Sequence, residues 1–242
     1  MKSSSHTVLV TGGATGIGFA LAKKFQGEGN QVILVGRQEK TLTQASAALG
    51  GVKTMVADVS LAADRERLAA GFPEVNILVN NAAVRYETPF SDAGAEDLFH
   101  ELNVNLLAPV LLAKAFLPSL KNKPEAAIIN VTSGLALVPR EVAAMYNASK
   151  AGLHSFSKSM RWQLEDTCVR VFEVLPPMVA TNMTAHRTVG KGKISSDQLA
   201  QEFWQGFVAN QYEMLIGKTK LLQRIYRLSP ALADRIMRRA PP

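Results

Sequence analysis

Near its start the chain reads Thr7-Val8-Leu9-Val10, then Thr11-Gly12-Gly13-Ala14-Thr15-Gly16-Ile17-Gly18, and passes directly into the amphipathic stretch Phe19 to Phe25. A short apolar strand, a glycine loop and a helix in immediate succession constrain the fold more than any other feature. Each glycine has a physical task in that arrangement. Gly12 permits a tight turn, Gly16 lets backbone N–H groups approach a pyrophosphate, and Gly18 allows the helix to pack close to the sheet. The helix N-terminus then faces negative charge.

The same rhythm continues along the chain. Strands are expected near Thr7 to Val10, Gln31 to Val35, Thr54 to Ala57, Ile77 to Val79, Ala127 to Val131, Arg170 to Leu175 and Glu213 to Ile216. Most are continuous apolar runs, which means burial on both faces, and longer amphipathic stretches separate them. Helices are expected over Gly16 to Gln26, Thr41 to Leu49, Ala95 to Leu120 and Met145 to Glu165, and Ser195 to Gln198 reads as a capping box for another through Val208. The fold class is therefore α/β: a doubly wound, Rossmann-like, seven-stranded parallel sheet with helices on both faces. All of 1–242 is expected to form one domain, with 217–242 as a basic amphipathic tail.

Charge and cysteine usage narrow the function classes. Of the formal net charge of +7, residues 217–242 supply +6, with seven Lys and Arg against Asp234. The tail, not the body, is basic, so no nucleic-acid partner is expected. Leu221, Leu222, Ile225 and Leu228 form an apolar stripe on it before Ser229-Pro230 breaks the helix. Two readings fit the stripe: a peripheral membrane contact, or a docked helix or subunit contact with a charged outer face, the simpler of the two. The single cysteine, Cys168, cannot form an intramolecular disulfide, and Met1 to His6 lacks the character of a signal peptide, so a cytoplasmic location is expected. The longest apolar stretch, Leu106 to Leu120, is interrupted by Pro109, Lys114, Pro118 and Ser119 and falls short of the roughly 20 residues of a spanning helix. His6, His100, His154 and His186 have no carboxylate or cysteine partner at ligand spacing, and no metal site is expected.

The second strand ends in Val35-Gly36-Arg37. At this point a dinucleotide fold distinguishes its two nicotinamide cofactors, and no carboxylate is present to accept the ribose hydroxyls of NAD. Arg37 instead offers a fork of donors to a 2′-phosphate, which favours NADP(H) over NAD(H).

Tyr146 and Lys150 lie four apart on an expected helix and share one face. A phenol of pKa near 10 is a poor base at neutral pH, but an ammonium within ~6 Å stabilises phenolate. The pair is common by chance and needs company. Ser133 follows the fifth strand in Asn130-Val131-Thr132-Ser133-Gly134, at the sheet edge where such proteins hold ligands. Asn105 lies four residues before Pro109, whose missing N–H leaves the Asn105 carbonyl to accept from a water or from Lys150.

With these residues the chain resembles the short-chain dehydrogenase/reductase family over nearly its whole length. The glycine loop resembles the family's Thr-Gly-x-x-x-Gly-x-Gly, Asp58-Val59 its adenine contact, and Asn80-Asn81-Ala82-Ala83 its Asn-Asn-Ala-Gly stretch. Asn105, Ser133, Tyr146 and Lys150 match its catalytic tetrad. The resemblance implies a dinucleotide held by Gly12, Thr15, Gly16, Ile17, Gly18, Arg37, Asp58, Val59, Asn81, Ala82, Tyr146 and Lys150, with Pro176, Val179 and Thr181 around the nicotinamide carboxamide. Ala83 and Pro177 depart from the usual glycines. Within the family, the run Lys218 to Asp234 and the Asn-Asn-Ala stretch are similar to DltE-like oxidoreductases.

The expected activity is hydride exchange between nicotinamide and a small-molecule carbonyl or alcohol, with Tyr146 as general acid/base, in a homodimer or homotetramer. Met145, Met178 and Met183 are candidates for an apolar substrate pocket, and Thr184 to Lys193 for a flap over it. The alternatives are a silent dinucleotide-sensing module and an epimerase or dehydratase of related fold. The first has no reason to keep Ser133, Tyr146 and Lys150 in register, and the second normally carries a longer C-terminal region.

Overall fold

A computed structural model describes residues 1–184 and 193–239. Seven strands, β1 (Thr7–Thr11), β2 (Gln31–Gly36), β3 (Lys53–Val56), β4 (Ile77–Asn80), β5 (Ala126–Val131), β6 (Val169–Leu175) and β7 (Glu213–Leu215), form one sheet in the order β3-β2-β1-β4-β5-β6-β7. Every pairing is parallel. The order reverses direction between β1 and β4, which opens a crevice above their carboxyl ends.

Alternation along the strands divides the core into two layers. Val8 and Val10 face one side with α1 (Gly16–Gly27), α2 (Glu39–Ala48) and α7 (Ser196–Val208). Leu9 faces the other with α3 (Ala62–Gly71), α5 (Ala108–Lys121) and α6 (Ala144–Gln163). An aromatic cluster pins α1 to α7, with Phe25 edge-on to Trp204 at 5.4 Å and to Phe207 at 5.4 Å between ring centroids. Ser195 caps α7 as expected, its Oγ accepting from the Gln198 N–H at 3.0 Å.

Three differences from the sequence reading matter. Helix α3 was not anticipated, because it buries only Arg65 and Leu68 and so shows almost no apolar period. The helix expected over Ala95 to Leu120 divides into α4 (Ala95–Leu102) and α5, joined by a π-type turn at Asn103–Leu107. That wide turn falls just where Pro109 cannot donate to residue 105. The whole 27-residue run is long and apolar enough to pass for a membrane span. Its apolar side, including Ala108, Leu112, Phe116 and Leu120, packs in the core of the sheet. Third, the tail forms two helices, α8 (Thr219–Leu228) and α9 (Pro230–Arg239), because Pro230 starts a new helix after ending the first. The proposed flap falls largely on 185–192, outside the described residues.

Candidate active site

The glycine loop turns from β1 into α1 with Gly12 and Gly16 in the left-handed region, at φ +60° and +54°. Gly18 has no space for a side chain: a Cβ there would run into the Gly12 carbonyl oxygen and the Asn81 amide. Thr15 makes no side-chain cap, and the first turn of α1 holds no acidic residue. Its N-terminus thus presents backbone donors without an internal anion. Asn81 fastens the loop, donating from Nδ2 to the carbonyl oxygens of Thr11 at 3.0 Å and Gly12 at 3.2 Å. Thr11 Oγ1 accepts in return from the N–H groups of Asn81 and Ala82, at 3.0 and 3.1 Å. Thr181 faces the loop so closely that a Cβ on residue 16 would lie 3.1 Å from its Cγ2.

A cavity of about 610 Å³ opens over this loop at the β1/β4 crevice. Gly12, Thr15, Gly16, Ile17, Asn81 and Ala82 line one end, and Pro176, Val179 and Thr181 another side. Ser133, Tyr146 and Lys150 share its wall. Arg37, Asp58 and Val59 lie away from the cavity wall, beyond the ends of β2 and β3. Arg37 Nη1 is 3.9 Å from Asp58 Oδ2. Partial burial works to raise the Asp58 carboxyl, but hydrogen bonds from the Ser60 hydroxyl and N–H, with Arg37 beside them, hold it below the usual range. Val59 is a core residue whose carbonyl accepts from Arg65 Nη1 at 2.7 Å.

Lys150 is buried, and its Nζ donates to the Val131 carbonyl oxygen at 2.9 Å while standing 5.7 Å from the Tyr146 ring centroid. Burial pushes the ammonium down to about 8, although Glu101 and Glu173 act to keep it charged. The Ser133 hydroxyl accepts from the Leu135 N–H at 3.1 Å, so the residue caps a short turn as well as lining the cavity. Asn105 is fully buried and does not reach the cavity wall. Its amide clamps the loop after β4, with Oδ1 accepting from the Val84 N–H at 2.9 Å and Nδ2 donating to the Val84 carbonyl oxygen at 2.8 Å.

Several neighbours carry no sequence signal of their own. Arg85 stacks its guanidinium 5.1 Å from the Tyr146 ring centroid, and Arg140, Lys193, Lys218 and Thr219 also line the cavity. Thr219 Oγ1 is buried without a hydrogen-bond partner among the described residues. Behind the wall, Glu173 accepts from Thr132 Oγ1 at 2.6 Å and pairs with His154 Nδ1 at 2.9 Å. That contact was missed because the partners sit on α6 and β6, 19 residues apart. Of the methionine candidates, Met178 and Met183 line the cavity; Met145 does not, because one step along α6 from Tyr146 turns it about 100° away. Leu221, Leu222 and Ile225 of α8, with Ile236 and Met237 of α9, close the outer side. Within the tail stripe Leu222 and Ile225 are half-buried, whereas Leu221 is 59% and Leu228 87% exposed.

A glycine-loop cradle at the switch point of a parallel sheet, opening on a shared Ser, Tyr and Lys, defines a dinucleotide-binding oxidoreductase. The family model described as short chain dehydrogenase matches residues 6–191, and the chain belongs to that family as an NAD(P)-dependent dehydrogenase/reductase of the DltE-like kind. It is 42% identical over 225 residues to the "Uncharacterized oxidoreductase DltE" of Bacillus subtilis (strain 168), covering 88% of this chain and 89% of that protein. A short chain dehydrogenase from Burkholderia cenocepacia J2315 in complex with NADP superposes with a TM-score of 0.88 at 26% identity, covering 98% of this chain and 99% of the other. The fold is shared too with a short chain dehydrogenase/reductase from Burkholderia phymatum in complex with NAD, at a TM-score of 0.85 and 21% identity, covering 94% and 96%.

Proposed function

We propose that this chain is an NADP(H)-dependent oxidoreductase acting on a carbonyl or alcohol, with Tyr146 as general acid/base. The observation that carries the reading is the placement of Tyr146 and buried Lys150 in one cavity with Ser133 and the glycine loop. The fit of the residues to a dinucleotide rests on the loop itself, where Gly18 admits no Cβ and Gly12 and Gly16 take left-handed backbone.

The nicotinamide, when bound, supplies or accepts the hydride. The chain does the rest. In the reducing direction Tyr146 gives its phenolic proton to the developing alkoxide, and Ser133 hydrogen-bonds the same oxygen. Lys150 favours the phenolate by its charge and holds the nicotinamide ribose. The Asn105 carbonyl extends the proton route, since the Asn105 side chain is committed to Val84. Gly12, Thr15, Gly16, Ile17 and Gly18 hold the phosphates, Asp58 and Val59 the adenine, Asn81 and Ala82 the adjoining ribose, and Pro176, Val179 and Thr181 the carboxamide. Arg37, with a side chain 58% exposed at the end of β2, suits a 2′-phosphate and supports NADP(H) over NAD(H). A cytoplasmic homo-oligomer belongs to the same reading.

The test is oxidation of NADPH and of NADH across aldehydes, ketones, quinones and sugars. Tyr146→Phe is expected to cut turnover on the order of 10³-fold while NADPH binding, read by fluorescence, persists. Undiminished turnover would remove Tyr146 from the role, and equal use of the two cofactors would remove Arg37 from its own.

A further inference from the structure

The cavity is chemically one-sided. Among the described lining residues the charged ones are Arg85, Arg140, Lys150, Lys193 and Lys218, with no Asp or Glu. The same cavity carries apolar lining from Leu135, Met178, Met183, Leu222, Ile225 and Met237. The phosphate-binding turn at Thr15 to Ile17 accounts for attraction to a dinucleotide at the far end, and Lys150 is engaged by the Val131 carbonyl. Arg85 belongs to neither task. Its side chain is only 9% exposed, yet its guanidinium carbon stands 5.1 Å from the ring centroid of Tyr146.

A guanidinium keeps its charge at any working pH, and burial beside the reacting group is costly unless an anion repays it. Glu87 is such a partner, with Oε1 3.1 Å from Nε, and it fixes one edge of the fork. Glu87 is not among the lining residues, so its contact orients Arg85 without placing negative charge on the wall. Bound substrate meets the positive side. A carboxylate gains from that field, whereas a neutral ketone must desolvate the cations without return.

We infer that the substrate of this site is an amphiphilic oxo or hydroxy acid, with its apolar body against the α8 and α9 side chains and its carboxylate drawn to Arg85 next to Tyr146. The inference rests on the oxidoreductase reading above and adds the substrate class to it. Arg85 is thereby a specificity-determining residue.

The test compares keto acids with their methyl esters, chosen with the carboxyl remote from the ketone so that charge changes with little change at the carbonyl or the apolar body: 4-acetylbenzoate and 6-oxoheptanoate. The acid is expected to exceed its ester in kcat/KM by about ten-fold or more in at least one pair. Arg85→Gln is expected to collapse that ratio, and Arg85→Lys to restore part of it. Because a ratio is read, any general loss of rate cancels. Esters matching or exceeding acids in every pair, or a ratio unchanged by Arg85→Gln, would overturn the inference.

A second readout separates this from failure of the parent reading. If no carbonyl turns over, protein saturated with NADP is melted with 4-phenylbutanoate or with 4-phenylbutanamide, neither of which is reducible at this position. A larger rise in Tm with the acid, absent in Arg85→Gln, supports the anion site on its own; equal rises overturn it.

Discussion

Lys150 donates its ammonium to the carbonyl oxygen of Val131, at 2.9 Å, and not to a carboxylate. The neutral acceptor leaves the charge poorly repaid, and burial lowers the group to about 8 from its ordinary 10.5. Below pH 8 the lysine is protonated in both folded and unfolded chains, so its cost to folding is constant. Between 8 and 10.5 the folded form releases its proton first, and folding becomes more favourable as pH rises. Wild type is therefore expected to gain stability relative to Lys150→Met across that window. At roughly 1.4 kcal/mol per unit, the gain approaches about 3 kcal/mol. Urea melts of both proteins at pH 7.5 and 10 check it, and a gap that stays constant or closes the other way contradicts the burial argument.

His154 has the opposite sign. Its hydrogen bond to Glu173 is the main influence and raises it above 6.5, with burial opposing. A raised histidine stabilises the fold fully below 6.5 and loses that contribution as pH climbs through the folded value. The stability difference between wild type and His154→Gln should thus be largest at pH 5.5 to 6 and should shrink above neutrality. Thermal melts over pH 5.5 to 8.5 read this directly; a difference that grows with pH would show that the ion pair is not the stabilising state.

Gly18 and Gly27 sit in one helix with opposite surroundings. A Cβ at 18 meets the backbone of the glycine loop, whereas a Cβ at 27 meets nothing within 4 Å. Gly18→Ala is expected to cost about 3 kcal/mol and to abolish NADPH binding, because relief requires moving the loop itself. Gly27→Ala is expected to gain up to about 1 kcal/mol with binding intact. Denaturant midpoints with fluorescence titration of the two variants make the comparison.

Asn105 is better understood as a clamp on the segment after β4 than as a surface of the cavity. Asn105→Ala removes both hydrogen bonds to Val84, whose peptide is part-buried, a loss of about 2 kcal/mol. Amide exchange at Val84 should accelerate well beyond the global change. If the Val84 amide slows or keeps its protection, the side chain is not what holds the loop.

The strands were legible in the sequence because burial on both faces leaves continuous apolar runs, such as Val32 to Val35 and Ala127 to Ile129, that no alternative period explains. The glycine loop and the Tyr146/Lys150 pair were equally readable, since each lies within a few consecutive residues. Helix α3 was not, for its exposed polar surface carries no period. Nor were the cations of the cavity. Arg85, Arg140 and Lys218 come from three connections whose meeting depends on tertiary packing alone. The tail illustrates the boundary between the two cases: its amphipathic stripe is plain in the letters from Leu221 to Leu228, but its place beside the cavity is set by the turn at Gly217 that follows β7.

The wide turn at Asn103–Leu107 amounts to one surplus residue spliced into an otherwise continuous rod. It decouples the rotational phase of α4 from that of α5. Removing a single residue there would restore a regular spiral and swing Leu112, Phe116 and Leu120 by about 100° around the axis, off the sheet and toward water. The chain thus tolerates an irregularity in the middle of its longest helix because a perfect one would point half of it the wrong way.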